Sequence, residues 1–365
     1  MKRTFFFTPM RVTLIICFIS TLSFSQVAPF VDYNGYFQTF YKGNVRMLEM
    51  QRITSYDAGD FIAPYIDGKG NFKIYNGEKV EQIAIQGVNY KYSDYLVAWK
   101  IGSGIFSYDN GVKKMLTPFG GDFIVKDSLI VYQDTRFKTL NVLYKGQIIQ
   151  LMQQTGEMSM PDCIGENLIG YKDNGDVYRI FWNGKIFEVG GTELGITFQA
   201  GTDILCFNDA INKTFAVFDK GTFIDVEGMY VKSYKAGRGF IVYEDQAGNL
   251  WKYQNSQKTN ITDFNSGIWE VKDDVLLWNE NNLFFTFYNG EKKHVCNYKP
   301  DDYQLKNNVI AFRNAQGGVS VSMNGKITIL TNQKDALYSI YNSNVLVELF
   351  NKSFLFFSEG NIITN

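Results

Sequence analysis

A tight turn between two strands is predicted by residues 182–189, Trp182-Asn183-Gly184-Lys185-Ile186-Phe187-Glu188-Val189. Asn and Gly tolerate the positive φ angles that both central residues of a type I′ turn require, so this dipeptide is a strong hairpin signal. The residues after the turn alternate in polarity, which is the period of a half-buried strand. The stretch therefore predicts two antiparallel strands joined at Asn183-Gly184.

The same turn signal recurs along nearly the whole chain. Successive turns lie 34 to 38 residues apart, and so steady a spacing indicates a repeat architecture. The ten turns are Tyr41-Lys42-Gly43, Tyr75-Asn76-Gly77, Asn110-Gly111, Tyr144-Lys145-Gly146, Trp182-Asn183-Gly184, Asp219-Lys220-Gly221, Asn255-Ser256, Tyr288-Asn289-Gly290, Met323-Asn324-Gly325 and Glu359-Gly360.

A second signature precedes each turn by about ten residues, and it consists of a short apolar run, an aromatic residue, any residue and an Asp. The apolar runs are typical of strands buried on both faces. The Asp begins a turn, because its side chain can accept a hydrogen bond from the backbone two residues on. Instances end at Asp67, Asp134, Asp173, Asp209 and Asp245, with Glu280 and Asn314 as variants.

With a weaker strand upstream of the apolar run, as in residues 267–271, each unit contains four short strands, named A to D in chain order. Four-stranded antiparallel units in tandem are the blades of a β-propeller. The sequence thus predicts an all-β fold, a β-propeller of about ten short four-stranded antiparallel blades. One large ring and two smaller propellers both fit this count. The first unit begins at residues 29–31 as a B strand and lacks a clear A strand.

Two stretches resemble particular propeller repeats. Residues 244–251, Glu244-Asp245-Gln246-Ala247-Gly248-Asn249-Leu250-Trp251, resemble the strand-loop-strand signature of sensor-type propellers. Residues 173–178, Asp173-Asn174-Gly175-Asp176-Val177-Tyr178, are similar to an Asp box of sialidase-like propellers but lack the Ser and Trp of that motif. The resemblance is to the propeller class as a whole and implies no sialidase activity.

The N-terminus predicts export. Lys2, Arg3 and Arg11 precede an apolar run over residues 12–24 that is too short to span a bilayer, and Ser23 and Ser25 are the small residues that a signal peptidase requires. Residues 1–25 are therefore predicted as a signal peptide and residues 26–365 as the propeller repeat domain. The Ser-Phe-Ser-Gln ending resembles signal peptides of Bacteroidota, which implies the periplasm or the cell surface. After cleavage the protein is not expected to be an integral membrane protein.

Composition excludes several classes of function. The 365 residues carry 36 basic and 37 acidic side chains, so no basic patch for nucleic acid is expected. His294 is the only histidine, which argues against a metal cluster and a Ser-His-Asp triad. Cys163, Cys206 and Cys296 remain after cleavage and fit small apolar packing, although one disulfide among them stays open. We expect no metal, no cofactor and no catalytic residues.

Paired carboxylates provide the alternative hypothesis. A carbohydrate-active hydrolase or lyase needs only two suitably spaced acids, for which Asp67, Asp134, Asp173 and Asp245 are the candidates. These residues recur at one repeat position, however, and a repeated feature is typical of a structural role. The sequence therefore favours a non-catalytic exported scaffold that binds a protein or glycan. The D–A crossovers vary in length and content between repeats, and in propellers they share one face with the B–C loops, so we expect the partner on that face.

Overall fold

The computed structural model describes residues 27–41 and 43–364, which form ten antiparallel sheets in chain order. Nine of these sheets have four strands and the first has three. Each sheet packs face to face on the next, and the last packs on the first, so the ten blades form a single ring. The predicted propeller is confirmed, with one large ring. The predicted signal peptide, residues 1–25, lies outside the described residues.

Within each blade the strands follow one another in the order A to D, from the axis to the rim. The A strands of blades 2 to 10 are Ser55–Tyr56, Asn89–Tyr92, Gly120–Lys126, Cys163–Ile164, Gln199–Ala200, Ser233–Ala236, Trp269–Lys272, Tyr303–Lys306 and Leu337–Tyr341. The B strands of blades 1 to 10 are Ala28–Val31, Ala63–Ile66, Leu96–Ile101, Leu129–Asp134, Leu168–Lys172, Ile204–Asp209, Ile241–Glu244, Val275–Glu280, Val309–Arg313 and Asn344–Glu348.

The outer half of each blade is a hairpin of strands C and D. The C strands are Phe37–Tyr41, Phe72–Tyr75, Gly104–Asp109, Thr139–Tyr144, Val177–Trp182, Thr214–Asp219, Leu250–Gln254, Leu283–Tyr288, Val319–Met323 and Phe354–Ser358. The D strands are Asn44–Glu49, Val80–Ala84, Val112–Thr117, Gln147–Gln153, Lys185–Gly191, Thr222–Glu227, Gln257–Thr262, Glu291–Cys296, Lys326–Thr331 and Asn361–Thr364. The D strands form the exposed rim, while strands B and C are mostly buried.

The predicted hairpin turns lie between strands C and D. Asn183 and Gly184 have φ angles of 47° and 77°, as a type I′ turn requires, and Asn255 and Ser256 have 51° and 59° without any glycine. Blade 2 differs, because four residues separate its C and D strands. There the Asn76 side chain accepts hydrogen bonds from the backbone N–H groups of Glu78 and Lys79, which stabilises a wider turn.

The core consists of apolar clusters between neighbouring blades, and the ring closes in the same way. Phe30 and Phe40 of blade 1 pack on Phe354 and Phe356 of blade 10. The Phe40 and Phe356 rings stack with centroids 3.6 Å apart, and those of Phe30 and Phe354 lie 4.5 Å apart. Among the described residues no strand is shared between the first and last blades. Side-chain packing therefore joins the two ends of the array.

The A–B turns meet around the axis and are joined by hydrogen bonds from blade to blade. The backbone N–H of Glu166 donates to the Gly201 carbonyl, and that of Thr202 donates to the Gly237 carbonyl, both at 3.2 Å. The closeness requires glycine, since a Cβ on Gly201 would lie 1.9 Å from the Gly237 carbonyl oxygen. The turns thus form a continuous polar ring.

The glycine requirement is testable. We expect Gly201→Ala to lower the free energy of unfolding by about 1–3 kcal/mol, because the turn must move away from the next blade. Gly228→Ala is the control, since a Cβ there meets nothing within 4 Å. Chemical denaturation of both variants measures the difference. Equal stability of the two variants would show that the turns are not closely packed.

Candidate functional site

The two faces of the ring differ in chemistry. The loop face is formed by the D–A crossovers and the B–C loops, and the turn face by the A–B and C–D turns. Among the described residues Tyr95 is the one large apolar side chain exposed within the turns of the turn face, and Tyr92, Val80 and Val112 are exposed in strands directly beside those turns. The loop face exposes many more, namely Tyr33, Met50, Ile85, Phe119, Phe137, Leu194, Ile211, Met229, Phe264, Ile268, Leu337 and Phe350. Exposed apolar groups concentrated on one face are typical of a binding surface.

A groove of about 550 Å³ opens on the loop face where blades 10, 1 and 2 meet. It lies at the axis side of blade 1, the place that an A strand occupies in every other blade. Its wall residues are Phe30, Val31, Asp32, Tyr33, Gly35, Arg52, Ile53, Tyr56, Leu337, Tyr338, Ser339, Tyr341, Leu346, Glu348, Lys352 and Phe354. Of the exposed large apolar residues, Tyr33, Tyr56 and Leu337 line the groove directly. It is therefore the concave part of the apolar face.

The two carboxylates in the groove are already engaged. Asp32 Oδ1 accepts hydrogen bonds of 2.9 Å from the backbone N–H groups of Asn34 and Tyr36, and its Oδ2 accepts one from Gln38. Glu348 forms an ion pair with Lys352. Burial, together with the negative charge of Glu348, raises the pKa of the Tyr56 phenol. The walls are thus aromatic and apolar, with charges that are mostly paired.

The loop aspartates singled out by the repeat cap the B–C turns. In each case Oδ1 accepts hydrogen bonds from backbone N–H groups two to four residues on, which confirms the turn role predicted from the sequence. The bonds are Asp67 with Lys69 and Asn71, Asp134 with Arg136 and Phe137, Asp173 with Gly175 and Val177, Asp209 with Ile211 and Asn212, and Asp245 with Asn249. Asn314 caps in the same way.

The second oxygen of these aspartates is engaged as well. Asp173 Oδ2 accepts from Arg179, and Asp245 Oδ2 accepts from the Trp251 indole at 2.9 Å. Burial alone would raise the pKa of these carboxyls, but the hydrogen bonds hold the pKa of Asp67, Asp173 and Asp245 below its usual range. A general acid needs the opposite shift, so their chemistry is that of turn caps. The longer Glu280 instead bonds Trp278 and Lys292.

Carboxylates also converge at the axis, on the turn face. Lys306 Nζ lies 2.5 Å from Asp60 Oδ1 and 2.9 Å from Asp94 Oδ1, which joins blade 9 to blades 2 and 3. Asp60 further accepts from the Asn342 backbone N–H at 2.6 Å and from the Asn307 side chain at 3.0 Å. The two carboxylates raise the pKa of Lys306 despite its burial. These ion pairs of Lys306 with Asp60 and Asp94 therefore stabilise the polar ring. The spacing of the three residues in the sequence gives no indication of them.

Asp127 continues this acidic series towards Glu166. Its burial, and the negative charges of Asp94 and Glu166, raise the pKa of Asp127 to about 7. Its Oδ1 accepts the Asp94 backbone N–H at 3.1 Å. Because the folded pKa lies above the unfolded value, folding favours the protonated form. The contribution of Asp127 to stability therefore falls as the pH rises from about 4 to about 7 and stays low above that.

Replacement of Asp127 by Asn removes the charge and keeps the accepting oxygen. We expect Asp127→Asn to melt at a higher temperature than the wild type at pH 8, with the difference shrinking as the pH is lowered towards 4. Thermal melts across this pH range provide the measurement, and Asp301→Asn, at an exposed crossover position, is the control. A difference that did not change with pH would contradict the assignment.

The cysteines and the single histidine lie in positions that indicate a structural role. Cys163, Cys206 and Cys296 are buried free thiols, which agrees with the predicted apolar packing. Burial raises the pKa of Cys163 to about 12. His294 is exposed on the D strand of blade 8, with its ring 5.7 Å from that of Phe285. Among the described residues no group of three metal-ligating side chains comes together.

The groove itself was not identified from the sequence. The sequence contains a signal for it, because the unit that begins at residues 29–31 lacks a clear A strand. The groove depends on closure of the ring, because Tyr338 and Tyr341, which line it, belong to the last blade.

A membrane-spanning helix, which would have to be both long and apolar, is not found among the described residues.

A comparison with models of protein families supports the architecture. A family model described as a 10-bladed beta propeller domain matches residues 21–363. No curated protein matches the chain.

Three solved structures show what the chain is similar to. The computationally designed Ika8 protein is 12% identical, with 83% of this chain and 95% of that chain covered and a TM-score of 0.32. Hsv2p of Kluyveromyces lactis is 10% identical, with 86% and 97% covered and a TM-score of 0.31. Prp20p of Saccharomyces cerevisiae is 10% identical, with 61% and 81% covered and a TM-score of 0.30.

Proposed function

The chain belongs to the family of the 10-bladed beta propeller domain, and from that premise we propose that it is an exported binding scaffold that holds a protein partner on its loop face. The observation that carries the proposal is the contrast between the faces. The loop face exposes a long series of large apolar side chains, whereas the described turn face exposes few, namely Tyr95 in a turn and Tyr92, Val80 and Val112 beside turns. Aromatic and Arg side chains around a concave apolar centre are typical of protein-binding surfaces.

The groove is the centre of this proposed surface. Tyr33 is 77% exposed, Leu337 62% and Phe350 83%, and they come from blades 1 and 10 at one place on the ring. Side chains this exposed contribute little to folding, since water still surrounds most of their surface. Arg52 adds an exposed cation at the edge of the groove. The acids of the B–C loops are occupied as turn caps, which favours binding over hydrolysis by paired carboxylates.

Removal of this apolar cluster tests the proposal. We expect Tyr33→Ser, Leu337→Ser and Phe350→Ser together to reduce partner capture at least about tenfold, because hot-spot side chains each contribute more than 1 kcal/mol. Wild type and variant are cross-linked in envelope extract, and captured proteins are quantified by mass spectrometry.

The matched control replaces three exposed apolar residues of the rim, Val112→Ser, Met115→Ser and Ile329→Ser. These positions are 65%, 52% and 57% exposed and lie on D strands. The rim variant should capture the same proteins as the wild type. Proteins captured equally by both variants and the wild type would show that the loop face does not bind them.

Export is the second part of the proposal and is supported by the positive residues Lys2 and Arg3, the short apolar run and the small residues Ser23 and Ser25. We expect the protein in the periplasmic or surface fraction, with Gln26 as its first residue. Mass spectrometry of the N-terminal peptide measures this. Ser25→Leu should block cleavage, because the peptidase requires a small residue there. An intact Met1 in the cytoplasmic fraction would overturn the proposal.

A further inference from the structure

Blade 1 is the one blade that has three strands among residues 27–41 and 43–364. Its strands B, C and D are present, and the groove lies beside strand B, where blades 2 to 10 have their A strand. An edge strand next to an open groove presents unpaired backbone groups that can bond another strand. The gap in the repeat and the centre of the proposed binding face are thus the same place.

At the end of strand Ala28–Val31, the backbone N–H and carbonyl of Val31 point into the groove. Asp32 N–H bonds the Tyr36 carbonyl on the strand C side, so the alternation of an antiparallel pair turns Val31 to the opposite side. Pro29 points the same way as Val31, and its carbonyl accepts a 3.5 Å hydrogen bond from the Tyr341 hydroxyl. No backbone hydrogen bond from another described residue reaches the groove side of Val31.

Blade 2 shows what this edge binds when it is occupied. Its B strand is Ala63-Pro64-Tyr65-Ile66, closely similar to Ala28-Pro29-Phe30-Val31 of blade 1. The segment 51–58 runs antiparallel to it, with Tyr56 opposite Tyr65. The Thr54 N–H donates to the Ile66 carbonyl at 2.8 Å, and the Asp57 N–H donates to the Pro64 carbonyl at 3.0 Å. The equivalent carbonyls of blade 1 are those of Val31 and Pro29.

The walls of the groove suit an extended peptide. Tyr338 and Tyr341 of blade 10 stand on one side and Tyr56 of blade 2 on the other. Of the strand Ala28–Val31, Phe30 and Val31 line the groove. Below the groove, the bond from Asn342 N–H to Asp60 joins the neighbouring A–B turns, while the loop face stays open.

We propose that the groove binds an extended segment of the protein partner, which adds to blade 1 as its fourth, innermost strand. The segment pairs antiparallel with Ala28–Val31 and bonds the N–H and carbonyl of Val31. Its side chains alternate between the wall formed by blade 10 and the wall formed by blade 2. This inference rests on the proposed function of the loop face and specifies how the partner is recognised. Strand addition of this kind draws affinity from the backbone and specificity from alternate side chains.

The chain itself supplies a probe for the test. A fluorescent peptide with the sequence of residues 51–58, Gln51-Arg52-Ile53-Thr54-Ser55-Tyr56-Asp57-Ala58, should bind the exported protein saturably in an anisotropy titration. A scrambled peptide of the same composition should not bind. Binding should also slow hydrogen exchange of the Val31 amide at least about tenfold, because that N–H enters a ladder bond.

Two variants separate strand addition from other modes of binding. Val31→Pro removes the N–H that points into the groove and should weaken the peptide at least about tenfold, whereas Val31→Thr keeps it and should bind as the wild type. Ser339→Trp fills the groove from blade 10 and should abolish binding without any change to strand B. Thermal melts of each variant verify that the ring is folded.

The outcomes distinguish the two proposals. No saturable peptide binding, or equal binding by wild type and the folded Ser339→Trp variant, would overturn strand addition. If partner capture from extract nevertheless depended on Tyr33, Leu337 and Phe350, the scaffold function would stand without it. Peptide binding that needs the Val31 N–H, with partner capture lost in Ser339→Trp, would support both.

Discussion

Stacking of Phe40 on Phe356, at a centroid distance of 3.6 Å, joins the first blade to the last. Every blade has two apolar faces and can bury both only if the array closes on itself, because an open end would expose a full face. Among the described residues, closure depends on strands B and C of blade 1. The packing that closes the ring therefore lies away from the inner edge of blade 1.

The axis supplies the polar counterpart of this closure. Lys306 joins Asp60 and Asp94 across blades that are far apart in the chain, and the close glycine turns continue the contact around the ring. A buried charge is stable only where partners surround it, so the turn face is committed to holding the blades together. The loop face also joins blades, since Lys73 of blade 2 forms an ion pair with Glu49 of blade 1 and the Tyr338 hydroxyl bonds Asp302. These contacts link neighbouring blades, whereas Lys306 of blade 9 reaches across to blades 2 and 3.

Much of the fold could be predicted from local sequence, because each blade is built from local signals. Asn183-Gly184 marks a hairpin by its φ preferences, and Asp245 marks a B–C turn by its hydrogen-bonding reach, so neither needs a distant contact. The number of blades in one ring is different, since it depends on Phe40 meeting Phe356 more than 300 residues away. The groove and the Lys306 network likewise depend on contacts between residues that lie far apart in the chain. Both form from residues that only closure of the ring brings together.

The proline of the open edge bears on how strongly a separate strand could bind. Pro29 has no N–H and its carbonyl already accepts a hydrogen bond from the Tyr341 hydroxyl, so the edge of blade 1 presents chiefly the N–H and carbonyl of Val31. In blade 2 the same proline is tolerated because the inner strand is covalently attached, and its effective concentration is high. A separate peptide loses translational and rotational freedom on binding and gains few backbone bonds in return. Recognition through this groove must therefore draw on the surrounding side chains, and Tyr33, Leu337 and Phe350 are exposed beside it. A strand edge with every backbone donor and acceptor free would pair with many other strands. The edge of blade 1 has few free donors and lies beside exposed apolar side chains, so it fits reversible recognition of one partner better.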